Sequence, residues 1–221
     1  MKGKLIVIEG LDGSGKATQS ALLYERLSKL CNIKKISFPN YNYPSSALVK
    51  MYLNSEFGDD PNVVNAYAAS SFFAVDRYAS YMKFWKDDYL SGKVILSDRY
   101  STSNMVFHMP KLHAKEWDKY LDWVEDYEYN KLSLPKPDVV IYLDVPIEIS
   151  QRFMSKRYHG DEDKKDLHEK NIEYLKSCRN SALYAAKKNN WKIINCYENG
   201  TIKTIDEINN EVFDIVKREI L

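Results

Sequence analysis

Five short segments of this chain are rich in apolar, partly β-branched residues: 4–8, 94–97 and 139–143 almost without interruption, and 33–38 and 191–195 with polar residues between. A strand with one wet face alternates apolar and polar positions, whereas a strand buried on both faces does not. These runs therefore predict strands of a parallel sheet covered on both sides. Between them apolar positions recur at helical spacing, which predicts helices from Gly15 towards Lys29 and over residues 44–54, 62–90, 115–129, 146–157, 167–188 and 204–220. The last carries one stripe of Ile205, Ile208, Val212, Ile215 and Val216, and the helix over 62–90 holds many aromatics expected to pack in the core or between subunits. Strands alternating with helices imply crossover connections, hence a single α/β domain over residues 1–221.

Composition narrows this picture only a little. The 221 residues suffice for one sizeable core, and 32 Lys and Arg against 31 Asp and Glu give no basic excess, so a general nucleic-acid binder is not expected. Cys31, Cys178 and Cys196 are widely separated without metal-type spacing, which suits reduced packing thiols in a cytoplasmic protein. The N-terminal apolar run is too short for a secretory signal, and no stretch approaches the roughly 20 apolar residues of a membrane span.

Chemistry enters directly after the first strand. Gly10-Leu11-Asp12-Gly13-Ser14-Gly15-Lys16 is a glycine-rich phosphate loop between a strand and a helix. Glycines let successive N–H groups turn inward around phosphate oxygens, the helix start adds its positive dipole end, and Lys16 supplies a mobile cation. ATP is thus the first ligand to consider, with Mg²⁺ bridging its phosphates. The hydroxyl residue that usually follows the lysine and binds the metal is here Ala17, with Thr18 next.

Asp98-Arg99-Tyr100 follows the strand over 94–97, at the carboxyl end where an open parallel sheet forms its ligand crevice. Asp98 there is a candidate metal ligand, with Glu9 as a second, and Arg99 is a candidate for neutralising an acceptor phosphate. Phe73 and Arg77 offer an aromatic face for a base and a cation for its polar edge, although Phe73 on helical spacing alone reads as core. Residues 156–166 are highly charged around Gly160. In an arbitrary protein this is a solvated loop; beside a phosphate loop it suits a mobile lid carrying Arg152, Lys156 and Arg157 towards the transferring group.

Taken in order, Gly10 to Lys16, Phe38-Pro39, Phe73 with Arg77, Asp98-Arg99-Tyr100 with Ser103, Tyr142-Leu143-Asp144-Val145 and the charged lid resemble the thymidylate kinases over essentially the whole chain. The resemblance implies a three-layer P-loop NTPase-type fold with a five-stranded parallel sheet flanked by helices, a homodimer, and transfer of the ATP γ-phosphoryl group to dTMP. With no arginine in the loop and a basic lid, the chain is similar to the bacterial type whose catalytic arginine comes from the lid, here Arg152 or Arg157. It implies that Gly10, Gly13, Ser14, Gly15, Lys16 and Ala17 cradle ATP phosphates while Thr18 reaches the α-phosphate. Asp12 would hold the sugar 3′-hydroxyl, Phe73 would stack on the base, Arg77 would read a base carbonyl, Arg99 would touch the acceptor phosphate, and Tyr100 would pack below the sugar.

Three departures from the family pattern matter: Ala17; Asn40 and Tyr41 where an arginine usually follows Phe38-Pro39; and His108 where a Gln or Thr helps recognise the pyrimidine edge. They motivate two alternatives, a kinase for another nucleotide or a nucleoside, and a nucleotide-binding regulatory protein with impaired catalysis.

Overall fold

In the computed structural model, which describes residues 2–161 and 165–220, five strands lie parallel in the order β2-β3-β1-β4-β5. They are β1 (Leu5–Gly10), β2 (Ile33–Ser37), β3 (Val94–Asp98), β4 (Val139–Asp144) and β5 (Lys192–Asn195). The continuous apolar runs have the expected cause. Ile6 and Ile8 of β1 face a layer built from α1 (Lys16–Leu27) and the C-terminal helix, through Leu23, Leu27, Ile208, Val212 and Val216. Leu5 and Val7 face the opposite layer, which includes Trp85, Tyr100, Tyr120 and Cys178.

The helices are α2 (Ala47–Leu53), α3 (Ala66–Ser80), α4 (Lys86–Leu90), α5 (Thr102–Phe107), α6 (Trp117–Glu125), α7 (Ile147–Arg157), α8 (Ile172–Lys188) and α9 (Ile205–Glu219). Two long helices expected from the sequence are interrupted. The run over 62–90 starts only at Ala66, where Asn65 caps the helix by accepting from the Ala68 N–H at 2.9 Å, and it passes through a wide π segment, Tyr81–Trp85, before α4. The run over 167–188 starts at Ile172, capped by Asn171, which accepts from the Tyr174 N–H at 2.9 Å. Helix α6 ends in a second π segment, Asp126–Lys131. Helix α5 and a small antiparallel hairpin, Tyr197–Glu198 with Thr201–Ile202, are additions to the expected set. In α9 the stripe is narrower than expected, because Ile205 at its first turn is 56% exposed while Ile208, Val212 and Val216 are buried.

Register brings the chemistry to one edge. Ile8 stands opposite Asp98, and Gly10 opposite Leu143, so the phosphate loop leaves the sheet beside the carboxyl ends of β3 and β4.

Candidate active site

The phosphate loop is closed by its own chain. Gly15 at the start of α1 has a left-handed φ of 86° and Gly13 one of 77°, conformations that side-chain-bearing residues rarely adopt. A Cβ at Gly13 would also stand 2.4 Å from the Ser150 carbonyl oxygen, so α7 rests directly on the loop. Lys16 is buried, donates to the Leu11 carbonyl at 2.7 Å and lies 4.0 Å from the Asp12 carboxylate. Burial, reinforced by Arg99, lowers its ammonium to about 8, so the lysine is a cation short of counter-charge. Bound phosphate oxygens would supply it.

Next to the loop lies an open cleft whose wall mixes charged and aromatic side chains. Asp12, Phe38, Pro39, Tyr41, Phe73, Arg77, Arg99, Tyr100, Ser103 and His108 all line it, which gathers every acceptor residue expected from the sequence into one place. Leu53, Asn104, Phe107, Asp166 and His168 complete the wall.

At the polar end Arg99 donates to Asp12 at 2.6 Å and to Glu9 at 3.3 Å, and its guanidinium sits 4.8 Å from the centre of the Phe107 ring. Burial alone would raise the Asp12 carboxyl, but Arg99 and Lys16 overcome it and hold it at about 2. Arg99 itself has a φ of 65°, so its backbone is bent into the left-handed region at the point where it enters the site.

Glu9, the second candidate metal ligand, is engaged within the protein. Its carboxylate is fully buried and accepts from the Gly10 N–H at 3.0 Å, the Thr102 and Ser103 hydroxyls at 2.8 Å each, and Arg99. With its lone pairs engaged, it anchors Arg99 and α5. Asp98 differs: it is half-buried at the end of β3, and among the described residues no side chain hydrogen-bonds its carboxylate.

The aromatic end is built on α3. Phe73 and His108 are tilted against one another with centroids 5.1 Å apart. Arg77 reaches the cavity wall while its Nε and Nη2 are held by the two oxygens of Glu128 at 2.7 and 2.6 Å, and Asn104 donates to the same carboxylate at 2.8 Å. Glu128 lies in the π segment after α6; the wider turn places an acidic side chain where a continuing α-helix would present another position. His108 is fully buried, and burial pushes its imidazole well below the usual range, so it is neutral. Its Nδ1 has no partner among the described residues.

Arg77 and Arg99 are the permanent cations among the lining residues. Where a further arginine was expected, Asn40 gives its N–H to the Asp76 carboxylate at 2.8 Å, which fixes the chain beside Tyr41 without restoring positive charge. Arg152 and Arg157 are exposed on α7 and do not line the cavity. Of the expected lid over 156–166, Glu162, Asp163 and Lys164 lie outside the described residues.

The far end of that segment turns into the site. Asp166 accepts from the His168 and Glu169 N–H groups at 2.8 and 2.9 Å, and Glu169 accepts from the Asp166 N–H at 3.0 Å, a reciprocal box around a single turn. The spacing Asp166-Leu167-His168-Glu169 was a legible signal for it. Burial first, then Asp12 and Glu169, push the Asp166 carboxyl up to about 7. A carboxyl whose folded value lies above its unfolded value favours the folded state while protonated, an advantage full below the unfolded value and lost as pH rises through about 7. Asp166→Asn keeps the turn's acceptor oxygen without the charge. It is expected to raise Tm at pH 8, with the gain over wild type vanishing by pH 4; equal Tm differences at both values would remove this account.

Comparison with known proteins adds what geometry alone does not. The family model described as thymidylate kinase matches residues 8–208. The thymidylate kinase of Mycobacterium tuberculosis (strain ATCC 25618 / H37Rv) is 32% identical over 188 residues, covering 82% of this chain and 84% of the relative. That of Plasmodium falciparum (isolate 3D7) is 30% identical over 213 residues, covering 96% and 88%. Among solved structures, the thymidylate kinase from Candida albicans, reported to reveal the origin of broad substrate specificity, superposes with a TM-score of 0.72 at 26% identity, covering 98% of this chain and 92% of that one.

Proposed function

This chain belongs to the thymidylate kinase family, and from that premise we propose how its side chains divide the work of the reaction. It transfers the γ-phosphoryl group of ATP to dTMP, giving dTDP and ADP. An oxygen of the dTMP phosphate attacks the γ-phosphorus while the bond to the β–γ bridging oxygen breaks. That nucleophile is already ionised, so the protein's task is alignment and charge stabilisation.

The observation that carries this division is the Lys16–Asp12–Arg99 chain, which joins the phosphate loop to the acceptor cavity through contacts of 4.0 and 2.6 Å. The loop amides and Lys16 hold the donor phosphates, and Thr18 serves the α-phosphate. Arg99 leaves Asp12 for the acceptor phosphate, which frees Asp12 for the sugar 3′-hydroxyl. Phe73 and Arg77 take the base, Tyr100 lies under the sugar, and the exposed Arg152 and Arg157 reach the transferring group when the lid segment closes. The donor set fits Mg²⁺ in a reduced form: with Ala17 in the loop and Glu9 occupied, Asp98 would hold the ion, directly or through water, beside the ATP oxygens. The ion supplies charge neutralisation between the phosphates.

A homodimer fits the apolar stripe of Val75, Tyr78 and Met82, each 40–46% exposed along α3 and the π segment that follows it. Three unbridged cysteines suit a reducing, cytoplasmic setting. Small nucleotides are the expected partners; no helix among the described residues is long and apolar enough to cross a membrane.

The reaction is tested by acceptor-dependent ADP release over a panel of nucleosides and monophosphates, with and without Mg²⁺. Preference for dTMP and dependence on the metal are expected. Preference for another acceptor would trace to His108 and Tyr41, and ATP binding with no release for any acceptor would mark a regulatory protein.

A further inference from the structure

Behind the acceptor cavity lies a buried hydrogen-bond chain that the assignments above do not use. The Lys111 ammonium donates to the Tyr52 hydroxyl at 2.8 Å, to the Val64 carbonyl at 2.8 Å and to the Pro61 carbonyl. An ammonium has three donors and no acceptor, so all three are spent. The Tyr52 oxygen, already accepting from Lys111, is 2.8 Å from His168 Nε2 and 3.3 Å from the Pro61 carbonyl, to which the phenol could also donate. The contact to the imidazole is shorter by half an ångström and takes the phenol hydrogen. His168 Nε2 is then the acceptor, and a neutral imidazole carries its one hydrogen on Nδ1.

Neutrality is secured by the surroundings: burial first, then the Lys111 ammonium, lower the His168 imidazole to about 3. The ring plane is fixed as well, stacked on Phe107 with centroids 5.5 Å apart and planes within 9°. Nδ1 has no hydrogen-bond partner among the described residues and belongs to a ring that lines the cavity. That ring shares the wall with Asp12 and Arg99 of the charged end and with Phe73 and His108 of the aromatic end.

We propose that Lys111 and Tyr52 are positioning residues that fix His168 as a neutral Nδ1–H donor to the sugar–base half of the acceptor nucleotide. This deepens the kinase reading and rests on it for the identity of the ligand. The tautomer itself does not depend on turnover, so the two can fail separately.

The experiment has two arms. Nitrogen-15 NMR of the unliganded protein labelled at histidine reads the His168 tautomer: Nδ1–H in wild type is expected, with a shift towards Nε2–H in Tyr52→Phe. Steady-state kinetics then compare two substitutions at position 168. His168→Asn keeps a donor near the Nδ1 position, and its KM for dTMP is expected within about twofold of wild type. His168→Gln keeps a group near Nε2 and loses the donor, and its KM for dTMP is expected to rise about tenfold, with kcat and the KM for ATP unchanged. An Nε2–H tautomer in wild type overturns the proposal without any variant having to fold. Equal dTMP KM values for the Asn and Gln variants overturn it too.

Discussion

Replacing Lys16 with methionine is expected to lower kcat by about three orders of magnitude and to leave Tm unchanged or slightly raised. Methionine keeps the length of the buried stem, so the loop keeps its packing while losing the cation aimed at the transferring group. Clamps of this kind act on charge that develops during transfer, in a site from which water is excluded, and removing one costs about 10²–10³ or more in rate. The stability half of the expectation follows from the sign of the titration. Burial and Arg99 hold the ammonium down to about 8. The folded state therefore binds that proton less tightly than the unfolded chain does, and the charged form opposes folding at neutral pH. Coupled ADP assays and a thermal scan of the same preparation check both halves. A loss of less than tenfold in kcat would take Lys16 out of the chemistry.

The second large effect concerns folding. Arg77 and Glu128 are 1% and 0% exposed and joined through two short contacts. Glu128→Ala leaves a guanidinium buried without its partner and strips Asn104 of an acceptor, so a loss of about 3–5 kcal/mol is expected in denaturant unfolding. A double variant, Arg77→Met with Glu128→Leu, replaces the pair by apolar groups of similar size and is expected to recover most of that loss while the KM for dTMP stays raised. If Glu128→Ala alone costs less than about 1 kcal/mol, water reaches the pair and the site is less sealed than its geometry indicates.

The sequence carried the sheet and the cavity further than it carried their supports. The three central strands, buried on both faces, announce themselves by nearly unbroken apolar runs, and the loop, Asp98 and Arg99 follow strands closely enough that strand ends locate them. The ten acceptor residues came together for this reason, helped by a resemblance spanning the chain. What stayed hidden depends on contacts between distant segments. Glu128 owes its role to a π segment, and nothing in residues 126–131 distinguishes that geometry from an ordinary helix end. Tyr52, Lys111 and His168 lie 59 and 116 positions apart. The partners of Glu9 were equally hidden: three donors from α5 and its approach, Thr102, Ser103 and Arg99, reach it only once the chain has turned there.

The contact of Gly13 with the Ser150 carbonyl has a bearing on how this sequence can change over generations. Any side chain acquired at position 13 must be matched by a retreat of α7, and α7 leads directly into the charged segment that begins at residue 156. Loop and helix therefore drift as one heritable unit. A lineage that gains bulk in the loop has to re-seat the helix carrying Arg152 and Arg157 in the same step, or lose the phosphate cradle.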